Sequence, residues 1–247
     1  MKRTFADLHL RPNPKDSEQV RRMMRKASEL GYRLISIPLP TNIPEEKIQQ
    51  LRDMCKEAKV DFASRIDLKP QTSRELIHSL RRLRRKFEII AVACKSKPVA
   101  RQAAKDRRVD LLSFPSLDFR RRFFDKAEGE LASKSLASLE IDIKPLLTLE
   151  GPTRIRLLSS LRKEVAVAQS FHIPIILSSG VSSELLMRMP RELAALASLF
   201  DVNRTSALEA VSKNPVDIVK RNRGKLDPRF VAPGIRVVRR GNDCRKA

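Results

Sequence analysis

The chain has 247 residues, 41% hydrophobic and 32% charged, which is ample apolar material for one sizeable core. No apolar window nears the ~18 residues of a membrane span, and Met1-Lys2-Arg3 leads towards a strand, so a soluble, cytoplasmic chain with no membrane partner is expected. Fifty-one Lys and Arg against 29 Asp and Glu leave a net charge of +22, a self-repelling surface that calls for a polyanion. Nucleic acid fits better than an anionic membrane, since no basic amphipathic helix carries aromatic anchors. A thermophilic or salt-tolerant surface would instead balance Glu against Lys. Cys55, Cys94 and Cys244 are odd in number and match no zinc spacing, the pattern of reduced thiols.

Residues 5–10 (FADLHL) alternate enough for a strand that Pro12 and Pro14 end. Asp16 or Ser17 caps a helix whose inward face is Val20, Met23, Met24, Ala27 and Leu30, and Gly31 closes it. A second strand follows at 32–39. Pro44 then opens a helix to Lys59 with Ile48, Leu51, Met54, Cys55 and Ala58 inward. The third strand is 60–68 (VDFASRIDL), Ser73 caps the next helix, and the fourth strand is 87–94. A helix near 98–105 leads to a fifth strand at 109–114, and a polar, mostly helical stretch at 119–138 precedes a sixth at 139–147 (LEIDIKPLL). Pro152 opens a helix to Phe171. The seventh strand, 173–177 (IPIIL), is apolar on both faces and stops in Ser178-Ser179-Gly180. Leu185, Leu186, Leu193, Leu196 and Leu199 recur at helical spacing broken by Pro190, and 206–219 is a last helix interrupted near Asn214-Pro215. From Arg221 the periodicity fades into an extended basic tail, partly docked through Phe230, Val231 and Ile235 and frayed past Arg240.

Strands alternating with helices roughly every 25–35 residues imply right-handed crossovers and a parallel sheet. Seven such repeats favour an α/β, TIM-barrel-like closure over an open doubly wound sheet. No linker or composition break divides the chain, so one barrel domain is expected over 1–238, with a disordered basic tail at 239–247.

Polar residues near strand carboxyl ends are the first candidates for chemistry in such a barrel. Here they are Asp7, His9, Arg65, Asp67, Lys95, Ser113, Asp142, Lys144, Ser178 and Ser179. Asp7-x-His9 could begin a metal-ligand set, but the chain has only three His. His172 precedes a strand at its amino end. His78 falls opposite the apolar stripe of its helix (Leu76, Ile77, Leu80, Leu83, Phe87), beside Arg74, Arg81 and Arg85. A di- or trinuclear hydrolase site cannot be assembled from these. No GxGxxG, P-loop or G-x-S-x-G elbow occurs. Ser178-Ser179-Gly180 could cradle a phosphate on backbone N–H groups or be ordinary tight packing. Glu140 and Asp142 share a strand face, and one of them paired with Arg65 or Lys144 is expected ahead of an acid/base pair.

The basic surface says more. Arg21, Arg22, Arg25 and Lys26 project from the first helix and Arg74, Arg81, Arg82 and Arg85 from the third, while Arg84, Arg120, Arg121 and Arg122 lengthen the runs. Any one cluster is ordinarily a solvated helix face; their sum points to phosphate. With one Tyr and no Trp, the surface suits the backbone and shape of folded RNA and not base stacking on single strands.

Six stretches then stand out: FADLHLRP at 5–12, SRIDL at 64–68, ILSSG at 176–180, RMPRE at 188–192, AVSKNP at 210–215 and FVAPGIRVV at 230–238. On these, in order across nearly the whole chain, it resembles the archaeal ribonuclease P protein component 3 family, relatives of the eukaryotic thirty-kilodalton RNase P subunit. The resemblance implies a barrel of the polymerase-and-histidinol-phosphatase (PHP) type, whose active members carry His-x-His on the first strand. Asp7-Leu8-His9 stands there instead, and the later metal histidines are missing. The implied role is a subunit of the ribonucleoprotein that removes 5′ leaders from precursor tRNA. Catalysis would lie in the RNA subunit, which performs Mg2+-assisted phosphodiester hydrolysis; this chain would contribute no catalytic residue and no metal site. Implied partners are the RNase P RNA, other RNase P proteins and a small ferredoxin-like subunit in a two-plus-two heterotetramer. The alternative is a free-standing, metal-dependent PHP-type phosphoesterase working at the barrel mouth.

Overall fold

Each of the seven apolar runs becomes a strand because its β-branched residues are buried on both faces, as strands enclosed by crossover helices require. The computed structural model of the protein describes residues 3–14, 16–232 and 234–238; the tail expected at 239–247 lies outside them. The strands are β1 (Phe5–Asp7), β2 (Tyr32–Pro38), β3 (Asp61–Leu68), β4 (Ile89–Ala93), β5 (Leu111–Ser113), β6 (Ser138–Asp142) and β7 (Ile175–Ser178). They pair in parallel, in chain order, in one seven-stranded sheet. Between them run α1 (Ser17–Glu29), α2 (Glu45–Glu57), α3 (Ser73–Leu83), α4 (Lys97–Lys105), α5 (Lys126–Ser133), α6 (Lys144–Thr148) and α7 (Gly151–Ser170). After β7 come α8 (Pro190–Leu196), α9 (Arg204–Ala210), α10 (Lys213–Leu226) and a hairpin of β8 (Phe230–Ala232) and β9 (Ile235–Arg236).

The sheet curls until its edges meet, giving a nearly closed TIM-like barrel. Just past β1 and β7, Gly180 N–H donates to the His9 carbonyl (3.0 Å) and Arg11 N–H to the Val181 carbonyl (2.8 Å). At the other end Ala6 N–H donates to the Val211 carbonyl (2.9 Å). Gly180 has φ +65°, and a Cβ there would lie 2.8 Å from Asp142 Cγ, so only glycine lets the seam close. Inside, Ala6, Leu8, Ala63, Ile89, Leu111 and Ile176 pack against Ile218 and Val219, which α10 inserts across the amino ends of the strands. The larger core lies between the outer sheet face and the helices.

Several boundaries differ from the sequence reading. Thr72, not Ser73, caps α3, its hydroxyl accepting from Glu75 N–H. Strand six stops at Asp142, because Ile143 is already in the right-handed helical region and Pro145 sits in the first turn of α6. Leu185 and Leu199 face solvent, leaving Leu193 as the buried anchor of that segment. The last helix divides at Val211-Ser212 and not at Pro215, which occupies the opening turn of α10. Instead of an extended tail from Arg221, α10 runs to Leu226 and the hairpin follows. Val231 and Ile235 are exposed and are not the docking residues expected of them.

Candidate nucleic-acid interface and the barrel mouth

The carboxyl end of the barrel gathers charge from four strands. Arg65 of β3 is fully buried and grips Glu140 of β6 with both terminal nitrogens (2.6 and 2.7 Å). Its Nε donates to Asp67 Oδ1 (2.7 Å) and its Nη1 to the Leu8 carbonyl (2.7 Å). Ser178 Oγ donates to Glu140 Oε1 (2.8 Å). Burial opposes the guanidinium charge, but Glu140 and Asp67 override it and hold the proton more firmly than usual. Burial also opposes charge on Asp67, and Arg65 and His9 together still hold that carboxyl well below the usual range.

His9 lies between two carboxylates. Its Nδ1 is 2.8 Å from Asp142 Oδ1, and its Nε2 is 3.1 Å from Asp67 Oδ2, off the line of a good hydrogen bond. Burial and then Arg65 push its pKa down; Asp142 and Asp67 prevail and raise it to about 9. An imidazolium has no lone pair to give a metal. Donor atoms of His9, Glu140 and Asp142 do lie within 4.8 Å of one another, the spacing of a cation site. One of the three, Glu140, is already taken by the Arg65 guanidinium.

Asp7 is fully buried, accepting from His9 N–H (3.1 Å) and Ser179 N–H (3.0 Å), and burial pushes its carboxyl up against the pull of those bonds. Ser179 N–H is thus committed to Asp7 and Gly180 N–H to His9, so Ser178-Ser179-Gly180 is a seam and not a phosphate cradle. The cavity left at the mouth, lined by Arg11, Phe114, Glu140, Asp142 and Lys144 among others, measures about 140 Å³. Ligand pockets ordinarily run to roughly 300–1,000 Å³. Lys95 is exposed and makes no ion pair among the described residues, so it does not belong to this cluster. Sequence reasoning missed a second polar network at the amino ends. There Asp110 accepts from Arg84, Arg221 and Asn222, and Glu88 accepts from Ser64 and Arg223.

The outer surface sorts its arginines into two classes. Arg84 and Arg122 turn inward: Arg84 holds Asp110, while Arg122 grips Glu164 with two bonds of 2.6 Å and also reaches the Phe114 carbonyl. Neither is available to a phosphate. Arg74, Arg81, Arg82 and Arg85 stand exposed around α3, whose buried stripe is Leu76, Leu80 and Leu83, and none has an ion-pair or hydrogen-bond partner among the described residues. His78 is exposed beside them, as its helical position predicts. On α1, Arg21 and Arg25 are equally unengaged. Arg22 pairs with Glu184 (3.1 Å) and Lys26 with Glu29 (3.2 Å), exposed pairs of small worth that a phosphate could replace.

A family model described as RNase P subunit p30 matches residues 4–227. A protein of Methanosarcina barkeri called Ribonuclease P protein component 3 is 30% identical over 244 residues, covering 96% of this chain and 97% of that one. The chain's fold is similar to one in a cryo-EM structure of archaeal ribonuclease P with mature tRNA (TM-score 0.83, 20% identity, 96% of this chain and 100% of that one). More distantly it is similar to an amidohydrolase from Mycoplasma synoviae (TM-score 0.52, 12% identity, 88% and 87% covered).

Proposed function

The chain belongs to the RNase P subunit p30 family, a protein subunit of ribonuclease P in tRNA processing, and from that membership we propose that it works by binding and folding the catalytic RNA. The observation that carries this reading is the division of its arginines. One guanidinium is spent on Glu140 inside the barrel, while Arg74, Arg81, Arg82 and Arg85 around α3, and Arg21 and Arg25 on α1, face outward without partners among the described residues. RNA helices brought together concentrate phosphate charge, and a rigid surface of unpaired arginines relieves that repulsion. Arg22 and Lys26 join the same face once their surface carboxylates give way to phosphate. Phosphodiester hydrolysis then belongs to the RNA and its Mg2+, and this chain needs no cofactor. A small ferredoxin-like subunit in a two-plus-two assembly, other RNase P proteins and a cytoplasmic setting complete the reading; no helix among the described residues is long and apolar enough to cross a membrane.

The test is precursor-tRNA cleavage by purified RNase P RNA, with and without this chain and its small partner. Cleavage that requires the RNA, and needs less Mg2+ once the proteins are present, is the expected result. The triple variant Arg81→Ala/Arg82→Ala/Arg85→Ala should weaken activation and lower the salt slope of RNA binding by roughly 0.7–0.9 per lost phosphate contact. Full activation with an unchanged slope would refute the assignment of α3. Metal-dependent cleavage by the protein alone, lost on His9→Ala, would restore the phosphoesterase alternative.

A further inference from the structure

Away from α1 and α3, one groove brings together three arginines from three separate segments. Arg3 precedes β1, Arg191 lies in the first turn of α8, and Arg204 begins α9. Together they rim a groove of about 560 Å³. All three are exposed, and none has an ion-pair or hydrogen-bond partner among the described residues. No Asp or Glu lines the groove. Its floor is apolar: the Phe5 side chain, Leu208, and Ala194, whose short side chain keeps the space open.

The other clefts differ in kind. A larger one of about 820 Å³ at the amino ends contains Asp61 and Glu88, which already hold Arg223. The mouth cavity contains Glu140 and Asp142. A polyanion would be repelled by those carboxylates, and Arg223 and Arg122, which line the two clefts, are already spent on internal acids. In the α8–α9 groove it meets three unspent guanidiniums, each able to grip a phosphate with two parallel N–H bonds.

Charge alone would suit any polyanion; the floor narrows the choice. A duplex keeps its base faces stacked inside the helix and offers a groove sugar, phosphate and base edges but no base face. Unlike the α1 and α3 surface, which lacks stacking platforms, this groove offers Phe5 and Leu208 to a base or ribose face of an unpaired nucleotide while the arginines hold its flanking phosphates. We propose that the groove between α8, α9 and the segment before β1 is a binding site for a single-stranded stretch of RNA, distinct from the helix-shape surface on α1 and α3. This rests on the RNA-binding reading above and adds which RNA element is taken and where.

The test uses the full chain and two fluorescein-labelled probes, an unstructured single-stranded decaribonucleotide and a blunt RNA duplex of equal length, followed by anisotropy at increasing KCl. The variant Arg3→Gln/Arg191→Gln/Arg204→Gln should bind the single strand at least tenfold more weakly. Its slope of log affinity against log salt should be shallower by about 2, at ~0.7 for each of three single-strand contacts. Duplex affinity should stay within twofold, while Arg81→Ala/Arg82→Ala/Arg85→Ala should show the reverse preference. An unchanged single-strand affinity, or an equal loss on both probes, overturns the groove assignment. So does a hexaglutamate peptide that binds there and is not displaced by the single strand. If the wild-type chain binds neither probe and does not activate RNase P RNA, the RNA-binding reading itself fails. If it activates the RNA and the groove variant behaves as wild type, only the groove fails. Thermal unfolding checks the fold of the variant, and the single change Arg191→Gln should move the single-strand affinity in the same direction.

Discussion

Replacing Arg65 by Met is the sharpest test of the closed mouth. The side chain is fully buried, and the change removes four short hydrogen bonds: two to Glu140, one to Asp67 and one to the Leu8 carbonyl. Among the described residues Glu140 is left with Ser178 Oγ as its side-chain donor. Removing one member of a buried ion pair costs about 3–5 kcal/mol, because the survivor keeps its desolvation penalty. A second route gives a similar figure. If the stranded carboxylate escapes by taking up a proton, holding an ordinary Glu neutral costs about 3.7 kcal/mol at pH 7 and about 1 kcal/mol at pH 5. Urea unfolding should therefore show a loss of about 3–4 kcal/mol at pH 7 that shrinks markedly at pH 5. The double variant Arg65→Met/Glu140→Leu should recover most of it, since Asp67 keeps His9 as a partner. A loss below about 1 kcal/mol at pH 7, the same loss at pH 5, or a double variant no better than the single one would refute this account of Arg65.

His9 makes a second prediction with a definite sign. Its folded pKa, about 9, lies above the ordinary 6.5, so its charge contributes stability in full below pH 6.5, and that contribution fades as pH rises through 9. His9→Gln should cost up to about 3 kcal/mol in urea unfolding at pH 6 and approach wild type by pH 10, while reconstituted cleavage stays within about threefold; a hundredfold cleavage loss would contradict the structural role. Gly180→Ala combines a positive φ with a Cβ 2.8 Å from Asp142 Cγ, and should cost roughly 2–4 kcal/mol. Because it pushes Asp142 from His9, it should also lower the His9 pKa in an NMR titration, and an unmoved His9 would show that the seam gives way elsewhere.

The barrel was legible because seven β-branched runs and the turns between them repeat one supersecondary unit, a pattern local in the chain. The Arg65–Glu140 pairing could be anticipated from strand period two, which puts Glu140 and Asp142 on one face. His9's partners could not, for Asp67 and Asp142 reach it only through barrel closure. The misread C-terminal segment has a different cause. Helix periodicity is judged by apolar residues, but the inward face of α10 beyond Val219 is Asn222 with Arg221 and Arg223 beside it, bound to Asp110, Glu88 and Asp61. A helix that buries polar groups against distant carboxylates looks, in sequence, like a basic tail. The over-long sixth strand was avoidable: Pro145 at the start of α6 was the stop signal.

Those carboxylates also show how a chain of charge +22 divides its arginines between interior and exterior. Asp67, Glu88, Asp110, Glu140 and Glu164 are withdrawn from the surface, each held by an arginine. A buried carboxylate needs a partner that stays charged and donates in several directions at once, and guanidinium meets both demands where lysine meets neither as well. These acids are matched inside by Arg65, Arg84, Arg122, Arg221 and Arg223, so the pairs leave the net surplus of +22 to the rest of the chain, where Arg21, Arg25, Arg74, Arg81, Arg82 and Arg85 find no protein anion among the described residues. The same residue type thus does two jobs that mutation separates. Losing an internal arginine strands a carboxylate and appears as lost stability. Losing an external one removes self-repulsion, leaves the fold at least as stable, and appears only when RNA is added.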